Sequence, residues 1–148
     1  MAKSHAKIYI HYVWATKNRE RILTKEVLEK IKQHIREYCG KKDIYVIAVN
    51  GYLDHIHLFV DLPPVQSVAG AINLIKGESS HWINEKGLFQ GKFHWQKRYS
   101  AFSVSASQKS VVTRYIQNQE AHHGKKSFQE ELEAFYKKHG LDPKDING

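Results

Sequence analysis

Asp54-His55-Ile56-His57-Leu58-Phe59-Val60-Asp61 is the stretch on which the reading of this chain turns. It has the length and apolar content of a short buried strand. Side chains alternate faces along a strand, so His55, His57 and Phe59 share one face and Ile56, Leu58 and Val60 the other. Burying an imidazole without a partner costs roughly 1–3 kcal/mol. Two imidazoles on one face, two residues apart, can chelate a single divalent metal, which would offset that cost. A pair of structural histidines is the alternative that the spacing leaves open.

Elements fall on either side of this strand. Upstream, Ile44–Val49 forms a second strand, joined to the first by Asn50-Gly51, a hairpin turn signal lengthened by Tyr52 and Leu53. Before it, Thr24 caps a helix whose apolar positions Val27, Leu28, Ile31, Ile35 and Tyr38 repeat at helical spacing, ended by Gly40. Lys7–Trp14, aromatic and β-branched, is the opening strand, followed by a basic loop through Arg21. Downstream, Pro63-Pro64 stops the histidine strand, and a helix runs from Gln66 to about Glu85. Lys86–Lys97 is an irregular loop, and Tyr99–Ser105 alternates as the fourth strand. Ser107 caps a helix over Gln108–His122, and a last helix covers Phe128–Lys138. The order β-α-β-β-α-β predicts an α+β fold of the ferredoxin-like (split β-α-β) type. Its four-stranded antiparallel sheet carries helices on one face, with further helices at the C-terminus. The other sheet face would stay bare unless a partner subunit, nucleic acid or the late helix covers it.

The 148 residues suffice for one domain, 1–148, with an acidic helical tail over about 127–148. No apolar run approaches the roughly 20 residues that span a bilayer, and Met1–His5 lacks the apolar segment of a signal peptide. Cys39 is the only cysteine, so neither an intrachain disulfide nor a Cys-rich zinc site can form. A cytoplasmic location and no membrane partner are the expectations. The net charge of +8 is uneven: residues 1–126 carry 20 Lys/Arg against 10 Asp/Glu, and residues 127–148 carry three Lys against five Asp/Glu. A basic body points to a polyanionic partner.

A second chemical element lies 58 residues beyond His57. Tyr115, Gln119 and His122 are spaced i, i+4 and i+7 and share a helical stripe. A core tyrosine followed by a solvated polar end is one reading. The other joins the two elements: His55 and His57 bind a metal, Gln119 or His122 completes the site, and Tyr115 supplies a nucleophilic hydroxyl.

Four stretches then carry a family resemblance, in order along nearly the whole chain: His11-Tyr12-Val13-Trp14-Ala15-Thr16-Lys17, Asp54-His55-Ile56-His57, Trp95–Ser105 and Tyr115–His123. The chain resembles the single-tyrosine HUH transposases of bacterial insertion sequences and their relatives associated with repetitive extragenic palindromes. Many relatives carry Gly where this chain has Lys97-Arg98, a departure that bears on DNA contacts and leaves the catalytic set intact. The resemblance implies that His55 and His57 are metal ligands, Tyr115 the nucleophile and Gln119 the third ligand, with His122 as its rival. It implies cleavage and rejoining of single-stranded DNA beside a hairpin through a 5′-phosphotyrosine link, with Mg²⁺ or Mn²⁺ as cofactor. It also implies a homodimer in which the tyrosine can act in trans, in the interior of a bacterial cell.

Candidate DNA contacts are Lys17, Arg19 and Arg21 in the first loop, Lys76 in the second helix, and Lys97 and Arg98 before the fourth strand, with Phe93, His94 or Trp95 as stacking candidates. Two other classes compete. A non-catalytic ferredoxin-like module would hold single-stranded nucleic acid on sheet-face aromatics. A related HUH nickase of replication or conjugation would use the same chemistry at an origin. A domesticated catalytic relative would differ only in its flanking DNA.

Overall fold

A computed structural model describes residues 5–147. Strands β1 (Tyr9–Ala15), β2 (Tyr45–Tyr52), β3 (His55–Asp61) and β4 (Ser100–Val104) form one antiparallel sheet in the order β2-β3-β1-β4. Helices α1 (Lys25–Lys41) and α2 (Val68–Glu85) make the two crossovers, which completes the ferredoxin-like arrangement. Thr24 and Ser67 cap them, each side-chain oxygen accepting from the backbone N–H three residues on. Among the described residues, no helix is long and apolar enough to cross a membrane.

Alternation sorts the two central strands. Tyr12 and Trp14 of β1 and Ile56, Leu58 and Val60 of β3 face α1 and α2, packing on Leu28, Ile31, Ile35, Ala71, Ile72 and Ile75. Each fully buried Ile or Leu there contributes about 1.5–3 kcal/mol. The opposite face carries Tyr9, His11, His55, His57 and Phe59, all buried. It is covered by α3 (Lys109–Gln117), through Val112 and Ile116, and by α5 (Phe128–Lys138), through Phe128 and Leu132. Of the coverings open to that face, the late helix of the same chain supplies this one. Helices therefore lie on both faces.

The predicted helix over Gln108–His122 is interrupted. A 3₁₀ turn at Ala106–Gln108 leads into α3 with no side-chain cap, so Ser107 does not cap it. The helix ends at Gln117, and a short α4 (Gln119–His123) follows. Asn118 (φ −101°, ψ 27°) leaves helical geometry, and the Asn50 side chain on β2 donates to the freed carbonyls of Ile116 and Gln117 at 3.0 and 3.2 Å. The final helix matches its expected span, and Ser127 and Glu130 close a capping box at its start.

Gly51 sits opposite Ile56 in the β2–β3 ladder, where a Cβ would collide with the His55 carbonyl oxygen. Gly51→Ala is expected to cost about 1–3 kcal/mol through this overpacking, read as a lower midpoint in thermal denaturation. An unchanged midpoint would show that the hairpin yields freely.

Candidate active site

The ladder places His55 opposite Tyr52 and Ala15, and His57 opposite Asn50 and Val13. Both are wholly buried, at 0 % exposure. Each imidazole is held by its Nδ1. Asp54 Oδ1 lies 2.8 Å from His55 Nδ1, and His11 Nε2 lies 2.8 Å from His57 Nδ1. Both Nε2 atoms are thereby turned inward, where they meet Glu131 of α5: Oε1 is 3.2 Å from His55 Nε2 and 2.8 Å from His57 Nε2.

Glu131 is the hub of the site. Tyr115 Oη–H donates to its Oε2, Gln119 Nε2 donates to the same oxygen at 3.1 Å, and His123 Nε2 lies 3.2 Å away. Gln119 is wholly buried, with Oε1 at 3.1 Å from His55 Nε2. His122 lies outside this network and stacks on the Tyr115 ring, centroids 4.4 Å apart. The break at Asn118 underlies this separation, because it turns α4 so that Gln119 faces inward. Tyr115 also lies edge-on to His57 of its own chain, at 5.9 Å.

The electrostatics follow from burial and pairing. Burial alone would raise the Glu131 carboxyl, but the electrostatic pull of the adjacent His57 ring and hydrogen bonds from His123, His55 and His57 hold it far below the carboxylate range. Burial opposes a charge on His55, yet Asp54 and Glu131 outweigh it and raise its pKa. At His57 burial wins over Glu131 and the pKa falls. Burial, and His57 beside it, pull His11 well down. Tyr115 is raised strongly by burial and by the Glu131 charge, so its phenol is neutral.

The donor set fits a divalent cation. His55, His57 and Glu131 each offer one ligand atom, and these atoms lie within 4.8 Å of one another. Two imidazoles and a carboxylate suit Mn²⁺ or a similar ion, and the carboxylate adds the hard oxygen that Mg²⁺ favours. The Gln119 amide oxygen stands at the edge of the same cluster.

The basic candidates divide three ways. Lys17, Arg19, Lys97 and Arg98 line one surface depression. Arg19 also donates to Gln129 at 2.7 Å and lies over the Phe128 ring. Arg21 lines a different depression, with Lys125, Lys126 and His123, beside the histidine cluster. Lys76 is not a surface cation. It is 8 % exposed, and its ammonium donates to the carbonyls of Gln96, Lys97 and Arg98 at 2.7, 3.1 and 3.0 Å. It holds the loop on which Lys97 and Arg98 ride. Of the stacking candidates, Phe93 and Trp95 belong to the core, with Trp95 donating to Ser79 Oγ at 2.9 Å, and only His94 is exposed.

Sequence reasoning missed Glu131, His11 and His123 as parts of the site. Glu131 left a signal. Phe128, Glu131, Leu132 and Phe135 share one helical stripe, and a carboxylate in an apolar stripe asks for a partner. His11 left a weaker one, since pairing β1 with β3 puts it on the His57 face. His123 left none, because the break in the helix decides where it points.

The sequence profile of the family described as "Transposase IS200 like" matches residues 4–119, and the chain belongs to this family of transposases, whose members cleave and join DNA. Similar proteins include the ISDra2 transposase TnpA of Deinococcus radiodurans, 26 % identical over 129 residues, which span 80 % of this chain and 91 % of that protein. The transposase for insertion sequence element IS200 of Salmonella typhimurium is 25 % identical over 114 residues, 74 % of each chain. A crystal structure of a D. radiodurans protein assigned as a transposase superposes with a TM-score of 0.64 at 26 % identity, covering 80 % of this chain and 98 % of that one. A REP-associated tyrosine transposase bound to a REP hairpin shares the fold, with a TM-score of 0.61 at 17 % identity over 84 % of this chain and 73 % of that one. The profile ends at Gln119, so Glu131 and the whole of α5 lie beyond it.

Lys76→Met is expected to release the Gln96–Arg98 loop. Limited trypsin digestion should then cut after Lys97 or Arg98 several-fold faster than in the parent protein. Equal cutting rates would show that the three carbonyl bonds do not hold the loop.

Proposed function

We propose that this chain cleaves and rejoins single-stranded DNA beside a hairpin through a covalent 5′-phosphotyrosine link to Tyr115. A divalent ion, Mg²⁺ or Mn²⁺, would be held by His55, His57 and an oxygen of Glu131 or Gln119. One observation carries the reading: in a member of a transposase family, the Tyr115 hydroxyl and the Nε2 atoms of both histidines converge on one carboxylate.

Tyr115 Oη attacks the scissile phosphorus. The Oη–P bond forms and the bond from phosphorus to the 3′-oxygen breaks. The phenolic proton passes along its hydrogen bond to Glu131 Oε2 and on to water, and water protonates the departing oxygen, which becomes a free 3′-OH. The phosphodiester energy stays in the tyrosine ester, so attack by a 3′-OH reverses the step without ATP. When bound, the cation neutralises charge on the phosphoryl oxygens. Glu131 orients Oη and receives its proton, while burial and that same negative charge keep the phenol neutral until substrate is in place. Asp54 and His11 fix the two ligand rings.

A cavity of about 200 Å³ opens onto Tyr115 and Glu131 between Val111, Val112 and Phe135, with Lys126 and Lys138 in its lining. This is the approach for the phosphate, the two lysines facing the neighbouring backbone charges. Lys17, Arg19, Lys97 and Arg98 form a separate basic surface for the hairpin stem, and the relative solved with a REP hairpin supports that kind of substrate. Tyr115 and both histidines meet within one chain, which favours reaction in cis. A homodimer is then an assembly of complete sites.

On labelled single-stranded hairpin DNA with Mn²⁺, the protein is expected to give a covalent protein–DNA band on a denaturing gel. The band should be absent without the metal and in Tyr115→Phe. Binding of a hairpin panel with no covalent band under any condition would favour the non-catalytic module. Protons compete with the metal for the imidazoles. Because His55 is raised above the ordinary value of 6.5, Mn²⁺ affinity should already fall from pH 8 to pH 6, approaching tenfold per unit below that raised pKa. An affinity flat across this range in calorimetric titrations would remove His55 from the ligand set.

A further inference from the structure

His11 has no part in the chemistry set out so far beyond its contact with His57. It is nevertheless a buried polar ring in a setting built for an apolar one. It is 1 % exposed and boxed by Phe59, Phe102 and Phe135, with ring centroids at 6.4, 6.0 and 5.1 Å. A Phe or Leu would fill such a box without the desolvation cost of an imidazole. The ring's polar contact is specific: Nε2 lies 2.8 Å from Nδ1 of His57, with centroids 5.0 Å apart and the ring planes 28° from parallel, so the two rings meet edge to edge.

A neutral imidazole has one nitrogen that donates and one that accepts. In the metal-free site, His57 Nε2 faces the Glu131 carboxylate at 2.8 Å and donates to it. Its Nδ1 then accepts, and the hydrogen between the rings belongs to His11 Nε2. To ligate a cation, His57 must present a bare lone pair at Nε2 and carry its hydrogen on Nδ1, where it needs an acceptor. His55 has a fixed acceptor in Asp54. Among the described residues, the partner at His57 Nδ1 is His11 and not a carboxylate.

We propose that His11 is the positioning residue of the metal site, a two-way hydrogen-bond partner that lets His57 exchange its Nε2–H for an Nδ1–H when the cation binds. This rests on the metal reading above. The exchange balances: His57 releases its Nε2 hydrogen to water and takes onto Nδ1 the hydrogen that His11 Nε2 had held between the rings, while His11 regains one from water on its Nδ1, so no net proton is gained or lost. A carboxylate in place of His11 could accept but could not donate to Nδ1 while Nε2–H points at Glu131. An imidazole serves both states.

The test uses the full chain with Mn²⁺ alone, its affinity read by electron paramagnetic resonance, and thermal denaturation of each metal-free protein. His11→Phe keeps the box filled and removes the partner. It is expected to bind Mn²⁺ about 10–100-fold more weakly. His11→Gln, which can both accept and donate, should return affinity to within a few-fold of the parent. Equal affinity in His11→Phe and the parent would overturn the proposal, as would equal weakening in both variants, which would make shape the cause. Should His11→Phe fail to fold, the parent still decides. With diamagnetic Zn²⁺ bound, ¹H–¹⁵N spectra should place the His57 hydrogen on Nδ1, and a hydrogen retained on Nε2 would refute the exchange. A parent protein that binds no Mn²⁺ would instead overturn the metal reading itself, and this assignment with it.

Discussion

A carboxylate 2 % exposed among three imidazoles, an amide and a phenol is the interaction on which the rest of this structure depends. An isolated buried charge costs several kcal/mol and persists only with partners. Glu131 has partners on β3, α3 and α4, so α5 cannot be placed anywhere else without stranding it. That requirement seats Phe128 and Leu132 on the second sheet face and closes it. It also explains how two histidines can sit wholly buried in a strand. They are halves of a charge-neutralising cluster, and their cost is met by one residue from the far end of the sequence.

The same arrangement sets the state of Tyr115, the nucleophile of the proposed reaction. Tyr115 is partly buried and faces a negative oxygen, and both conditions favour the neutral phenol. A cation among the same ligands inverts the local sign. The candidate metal ligands and the proposed nucleophile are therefore one electrostatic unit, joined through the carboxylate they share. Farther out, Lys76 does comparable work on the loop before β4. Its ammonium gathers three successive carbonyls, so Lys97 and Arg98 are offered to solvent on a tethered segment. The family match ends at Gln119, and Glu131 lies beyond it.

Much of the fold was legible in the chain. Alternation in Asp54–Asp61, the helical repeat between Thr24 and Gly40, and the Thr24 cap each reflect interactions within a few residues of one another. The pairing of His55 and His57 on one face was legible for the same reason, since a strand's period needs no tertiary information. Lys76 was misread because its charge suggested solvent, while its partners lie some 20 residues away on a loop without regular pattern. The third helix was drawn through Asn118 because the side chain that ends it, Asn50, belongs to another strand.

The sequence by itself determined the order of elements, the two inward histidines, the family and the candidate tyrosine, because periodicity, caps and motif order are local properties. Only the tertiary structure decided that Glu131 is the hub, that Gln119 and not His122 faces His55, that His11 holds His57, and which helix covers the sheet. Each of those rests on a distance between residues far apart in the chain. Such distances are set by the cost of leaving a buried charge or polar ring unpaired, which no local pattern records.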